Sequence, residues 1–275
     1  MKLKILTANI ALGLRNMDYL PSNVRGIATY HSWSSFLIPT IFPPLRGLWG
    51  GKPYSQKRIN YLRKYENLDS TFNMIRKNNP DILILNEVVP EIHKSRLDKE
   101  LKDMGFTTIT YGLGGKYPDA HVSTLVATKE KAIVLQATMP QPPYPGCGGG
   151  IAGLRLESGV SIVGAHMALK GSVWREQLDA IIALLQTEKI TGNQVIFAGD
   201  CNEKEGPIIT RSNFSMLGLV SADMKKTSTC PTSLPHIFQR SLDHIFIPSE
   251  WEIEDFRTIA FGSDHLALLV SVEKV

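Results

Sequence analysis

FGSDHLALLV, residues 261–270, sets a charge pair at the mouth of an apolar run. Leu266, Ala267, Leu268, Leu269 and Val270 read as a buried strand, and the spacing predicts that strand over 265–272. Asp264 and His265 stand at its entrance. In a dry core an unpaired carboxylate beside an imidazole would cost several kcal/mol. The pair therefore needs either partners or a wet site.

The same handover from apolar run to polar group recurs along the chain. Asn9 ends LKILTAN, Glu87 ends DILILNE, and His166 ends SIVGAH. Asp200 and Asn202 follow VIFAG, and Asp243 lies in SLDHIFI. Taken singly, each is ordinary. A strand-end glutamate is usually solvated, and a lone histidine is more often structural than catalytic. Taken together they form a set: carboxylates for a hard divalent cation, amides to orient oxygens, and histidines able to donate protons. Rigid strands ending on one edge of a sandwich can bring such groups together.

The 275 residues fit one large domain, residues 1–275. An apolar fraction of 43% is ordinary for a globular chain, and a net charge of +4 suits an anionic substrate without demanding nucleic acid. Three cysteines, Cys147, Cys201 and Cys230, make no disulfide framework. The opening MKLKILTANI lacks a signal-peptide core and reads as a first strand, so a cytoplasmic protein is expected. Helices are expected over 61–78, with Tyr61, Tyr65, Leu68, Phe72 and Ile75 on one face, over 91–105, and over about 172–188 with Ser172 as N-cap. Further strands are expected at 106–111, 122–127, 132–137, 151–156, 160–166, 194–199, 242–247 and 256–261. Many strands adjoin without an intervening helix, which points to mixed or antiparallel sheets in an α/β sandwich. An irregular insertion at about 26–58 mixes Trp33, Phe36, Phe42 and Trp49 with prolines, glycines and basic residues.

TANI, ILNEV, GAHM, FAGDCNEKEG, SLDHIFI and GSDHLAL occur in that order over residues 3–272. In this the chain resembles the endonuclease/exonuclease/phosphatase superfamily, which includes DNase I-like nucleases, abasic endonucleases, inositol polyphosphate 5-phosphatases and neutral sphingomyelinases. The resemblance implies a four-layer α/β/β/α sandwich of two mixed, mostly antiparallel sheets. It also implies Mg²⁺- or Mn²⁺-dependent hydrolysis of a phosphate ester. Glu87 matches the main metal ligand, Asn9 the asparagine beside it, and Asp264 a further group on the metal. Asp200 and Asn202 match the pair that holds the attacking water. His265 matches the histidine on the scissile phosphate, Asp243 the carboxylate orienting it, and His166 a donor to phosphate or leaving group.

Arg155 and Arg175 are the nearest basic residues for substrate binding, since PGCGGGIAGLRLE (145–157) offers glycines where some nucleases place a Tyr or Arg. Cys201, beside an acidic site, reads as a spacer and not a nucleophile. The expected substrate is a phosphodiester in DNA or RNA, cleaved by a nuclease or a tyrosyl-DNA phosphodiesterase-like enzyme. Arg46, Lys52, Lys57 and Arg58 offer a basic patch for it. A phospholipid or sphingomyelin headgroup reached through the aromatic insertion, and an inositol-phosphate-type monoester, are the alternatives. A non-catalytic binding module on the same fold is the reading from another class. No obligate protein partner is evident.

Overall fold

The computed structural model describes residues 1–10, 68–112, 123–140, 149–168, 171–203, 208–223, 227–230, 240–263 and 265–274. The insertion at 26–58, with its aromatic and basic residues, lies outside the described residues, as do Tyr61, Tyr65, Cys147 and Asp264.

In chain order the elements are β1 (Lys2–Asn9), α1 (Asp69–Asn78), β2 (Ile82–Val88), α2 (Pro90–Asp103), β3 (Thr108–Tyr111) and β4 (Ser123–Thr128). Then come β5 (Ala132–Leu135), β6 (Gly149–Leu156), β7 (Val160–His166), α3 (Ser172–Ile190) and β8 (Gln194–Asp200). Last are α4 (Ile208–Met216), β9 (Leu219–Ser221), β10 (Asp243–Pro248), β11 (Glu252–Ile259) and β12 (Ala267–Glu273). One six-stranded sheet runs β11-β12-β1-β2-β4-β3, the other β5-β6-β7-β8-β10-β9. Only β1–β2 and β7–β8 are parallel among the described pairings. Both sheets are therefore mixed and mostly antiparallel, as expected.

The apolar residues sort into three layers. Between the sheets, Ile5, Ile84 and Val126 of the first meet Leu154, Ile162, Ile196 and Ile245 of the second. Behind the first sheet, Leu83, Leu85 and Leu269 pack on Phe72 and Ile75 of α1 and on Leu97 and Leu101 of α2. Behind the second, Val163, Phe197 and Phe246 pack on Trp174, Leu178, Ile181 and Leu185 of α3 and on Phe214 of α4. Each fully buried aliphatic side chain contributes about 1.5–3 kcal/mol by leaving water. The result is the four-layer α/β/β/α sandwich.

Two glycines set how closely the layers approach. A Cβ on Gly164 would fall 2.7 Å from Val126 Cγ2 and 2.9 Å from Ile84 Cγ2, so the sheets close only because it is absent. A Cβ on Gly199, at φ +149°, would lie 1.9 Å from the Ala165 carbonyl oxygen.

Several boundaries differ from expectation. Ser172 is the first helical residue of α3 and Gly171 is the N-cap, with no side-chain cap bond. The last strand starts at Ala267, so His265 precedes it. β11 begins and ends earlier than 256–261 because it pairs along the whole of β12. The short α4–β9 pair carries too few periodic residues to be read as separate elements.

Candidate active site

Strand polarity gathers the polar ends. β1, β2, β7 and β8 all finish at one edge of the sandwich, β10 starts there antiparallel to β8, and the chain enters β12 there. His166 pairs in register with Asp200, and Asp200 with Asp243. The three side chains thus share the inward face of adjacent strands. From the opposite sheet, the Asn9 amide closes the gap. Its Nδ2 donates to Glu87 Oε1 at 3.1 Å and to Asp200 Oδ2 at 3.0 Å.

Glu87 reaches this point through an irregular backbone. A regular strand would turn Asn86 and Glu87 to opposite faces. Here Glu87 sits at φ 60° where the β2–β4 register shifts between Leu85 and Val88. That left-handed conformation costs of order 1–3 kcal/mol for a non-glycine residue, and such strain clusters at functional sites. Asn202 is also left-handed, at φ 49°. Its backbone N–H donates to Asp200 Oδ1 at 2.9 Å and its Nδ2 to Met167 O at 2.8 Å. It therefore braces Asp200 and the loop after β7 at once.

His265 Nδ1 and Asp243 Oδ2 lie 2.7 Å apart in a buried pair. Burial works against the imidazolium of His265, but the Asp243 carboxylate, with Cys230 beside it, raises His265 well above the ordinary histidine range. Burial also raises Asp243, opposed by the His265 charge. His166 behaves differently: burial lowers it, and the Asp200 carboxylate only partly compensates. Its Nε2 lies 3.7 Å from Asp200 Oδ2 and 4.0 Å from Glu87 Oε1. The two imidazoles are thus pushed in opposite directions, His265 toward its charged form and His166 toward its neutral one. Burial raises the Cys201 thiol well above its usual range, which fits a spacer and not a nucleophile.

Ligand atoms of Asp200, Asp243 and His265 come within 4.8 Å of one another. Because His265 Nδ1 is engaged by Asp243, this trio is a hydrogen-bonded dyad beside a carboxylate more than a cation cage. Glu87 Oε1 and Asp200 Oδ2 are a better donor set. Two hard oxygens converge on one amide with excess negative charge around them, the chemistry a small divalent cation fits.

Arg155 departs from expectation. It pairs with Ser161 at the far end of β7, and Glu188 grips it at 2.8 and 2.7 Å through Nε and Nη2. Arg175 is exposed in the first turn of α3. The structure also adds supports that residue type alone did not flag. Trp174 Nε1 donates to Cys201 O at 2.7 Å. Gln177 accepts from Ala168 N at 2.6 Å and donates to Pro140 O at 2.7 Å. Ser263 donates to Asn9 O at 2.7 Å and accepts from His265 N at 3.2 Å. The buried i, i+3 spacing of Trp174 and Gln177 was the available signal for the first two.

Known proteins with this architecture match across the chain. ANGEL2, described as a 2′,3′-cyclic phosphatase, superposes with a TM-score of 0.63 at 13% identity, covering 99% of this chain and 95% of its own. The human Nocturnin catalytic domain with bound sulfate gives 0.60 at 15% identity, covering 99% and 94%. An endonuclease/exonuclease/phosphatase from Beutenbergia cavernae gives 0.62 at 15% identity, covering 99% and 71%. Among curated proteins none matches by sequence. A family model for the endonuclease/exonuclease/phosphatase family matches residues 23–265, and the chain belongs to that family.

Proposed function

We propose that the chain is a divalent-cation-dependent phosphodiesterase acting on a nucleic-acid-type phosphate. The observation that carries this reading is the meeting of Glu87, Asn9 and Asp200 across the two sheets, beside the Asp243–His265 pair. A phosphodiester is anionic and repels an attacking oxygen, so its hydrolysis needs positive charge and a held water.

In this reading Glu87 and Asp200, with Asn9 between them, would hold Mg²⁺ or Mn²⁺, and Asp264 is kept from the sequence as a further expected ligand. A cation bound there supplies Lewis-acid neutralisation of charge on the phosphate. The chain's own groups do the rest. Asp200, fixed by Asn202 N–H and Asn9 Nδ2, accepts a hydrogen bond from water and aligns it for in-line attack. His265, kept charged by Asp243, donates to a non-bridging phosphate oxygen as charge grows. His166 stays neutral and directs its Nε2 proton toward the reacting oxygens, as phosphate or leaving-group donor. Arg155 has no part in this scheme, and Arg175 is kept only as an outer phosphate contact.

The solved structures this fold superposes on include a 2′,3′-cyclic phosphatase and a humanised zebrafish TDP2 (TM-score 0.53, 15% identity). The cyclic phosphatase, also solved with adenosine-2′,3′-vanadate, supports a nucleic-acid phosphate as the first substrate class to test. The test is hydrolysis of bis-p-nitrophenyl phosphate with Mg²⁺ or Mn²⁺, with EDTA as control. Single-stranded DNA, RNA, a nucleoside 2′,3′-cyclic phosphate, sphingomyelin vesicles and an inositol phosphate follow. Cation-dependent cleavage of the diester and of a nucleic-acid substrate is expected. Cleavage of the vesicle or inositol substrate alone would overturn the substrate class, and no cleavage of any would overturn the reading.

A further inference from the structure

We propose that Thr229 is the positioning residue that fixes the Asp243–His265 dyad. The proposal rests on the functional reading above for its consequence in turnover, but not for its geometry.

Thr229 is buried in the short described segment 227–230 and bonds to the chain on both sides of the dyad. Its Oγ1 accepts from the backbone N–H of Leu242 at 3.1 Å and of Asp243 at 3.2 Å. Its carbonyl accepts from Leu266 N, the residue after His265, at 2.8 Å. Its own N–H donates to Arg240 O at 2.7 Å. Leu242, so held, accepts from Cys201 N at 2.8 Å, which ties the same frame to the residue after Asp200. One side chain and one peptide thus set the spacing between Asp243 and the segment that carries His265.

The hydroxyl also has a hydrogen to give. Its contact to Arg240 O is long, at 3.4 Å. Asp243 Oδ1 is buried without a formed hydrogen bond among the described residues. The Thr229 hydroxyl is near enough to favour the charged form of the Asp243 carboxyl by hydrogen bonding, so turning its O–H from Arg240 O toward that carboxyl completes the oxygen that His265 does not engage. A carboxylate bonded on one oxygen only is free to turn about its Cβ–Cγ bond. Bonded on both, it presents Oδ2 to His265 Nδ1 in one orientation, as an orienting carboxylate must. No other described side chain does this for Asp243.

Substitutions at Thr229, alone and combined with Asp243→Ala, and two readouts test it. Thr229→Val removes the hydroxyl at nearly constant volume, and Thr229→Ser keeps it. With bis-p-nitrophenyl phosphate and Mg²⁺, Thr229→Val is expected to lower kcat about 10- to 100-fold with KM within about twofold. Thr229→Ser is expected to stay within about threefold of wild type. In an Asp243→Ala background, Thr229→Val is expected to cost less than about twofold, because its effect runs through Asp243. The second readout needs no substrate: the low-field imidazole N–H proton of His265 by NMR, sharp in wild type and Thr229→Ser, and broadened or shifted in Thr229→Val. Should Thr229→Val not fold, Thr229→Ala carries the same comparisons. Equal kcat in wild type and Val variant, an equal loss in Ser and Val variants, or an undiminished loss without Asp243 would overturn the proposal. Should wild type cleave no diester, the functional reading fails. The imidazole proton then decides Thr229 alone, and an unchanged signal in the Val variant overturns it.

Discussion

The space between the two sheets has two ends with opposite chemistry. Toward one end, Leu3, Ile5, Ile82, Leu154, Ile162 and Ile196 fill it with hydrocarbon. Toward the other, the same strands present Thr7, Asn9, Asn86, Thr124, His166, Asp200 and Asp243, all buried. Ile162 and His166 stand on one strand, as do Ile196 and Asp200, with the same inward parity. One end supplies burial energy. The other spends part of it holding carboxylates and imidazoles away from bulk water: Asp200 and the Asp243–His265 pair are hydrogen-bonded, whereas His166 Nδ1 and Thr7 Oγ1 are buried without a hydrogen-bond partner among the described residues.

Four substitutions sharpen that contrast, in falling order of expected effect. His265→Ala should lower kcat per folded molecule by about 10²–10⁴-fold, and Tm should also fall because the buried Asp243 carboxylate loses its partner, checked by steady-state rates and calorimetry. Ile162→Ala should affect stability alone. It should cost about 2–5 kcal/mol in urea unfolding and leave kcat per folded molecule near wild type. Equal damage to activity from both would break the division of labour.

His244 offers a pH test on the other face of β10. It packs 5.9 Å from Phe246 on the helix side, its Nε2 bonds Ser241 O at 3.1 Å, and burial lowers its pKa to about 4. The unfolded chain takes up a proton near pH 6.5 that the folded chain refuses. The contribution of His244 to stability should therefore be level above about pH 6.5 and fall by about 3 kcal/mol as the pH drops toward 4. His244→Gln should remove that part of the slope, and an unchanged slope would contradict the assignment. Gly164→Ala should cost about 1–3 kcal/mol, since its methyl meets Val126 and Ile84 across the sheets.

Much of the polar end is legible in the sequence. Apolar runs that stop at a carboxylate, amide or imidazole reveal strand ends, and motif order reveals which ends belong together. Asn9, Glu87, His166, Asp200, Asn202, Asp243 and His265 do converge. What escaped was what no local pattern carries. Arg155 is basic and near a glycine run, yet β6 runs antiparallel to β7 and takes it to the opposite end, onto Glu188. The turn of Glu87 comes from a register shift with β4, which depends on a strand distant in sequence. Trp174 and Gln177 share a helix face by their spacing, but that spacing does not say which backbone atoms of other segments they hold, and nothing in Thr229 announces its bonds to Leu242 and Asp243.

The most direct measurement follows Glu87→Gln through Mn²⁺ binding by calorimetry and diester turnover in the same preparation. Removing one charge while keeping shape should weaken Mn²⁺ binding at least about tenfold and lower turnover by about 10²-fold or more, with Tm unchanged or raised by relief of repulsion with Asp200. Wild-type Mn²⁺ affinity and turnover in Glu87→Gln would contradict the claim that this edge of the sandwich is the cation-dependent active site.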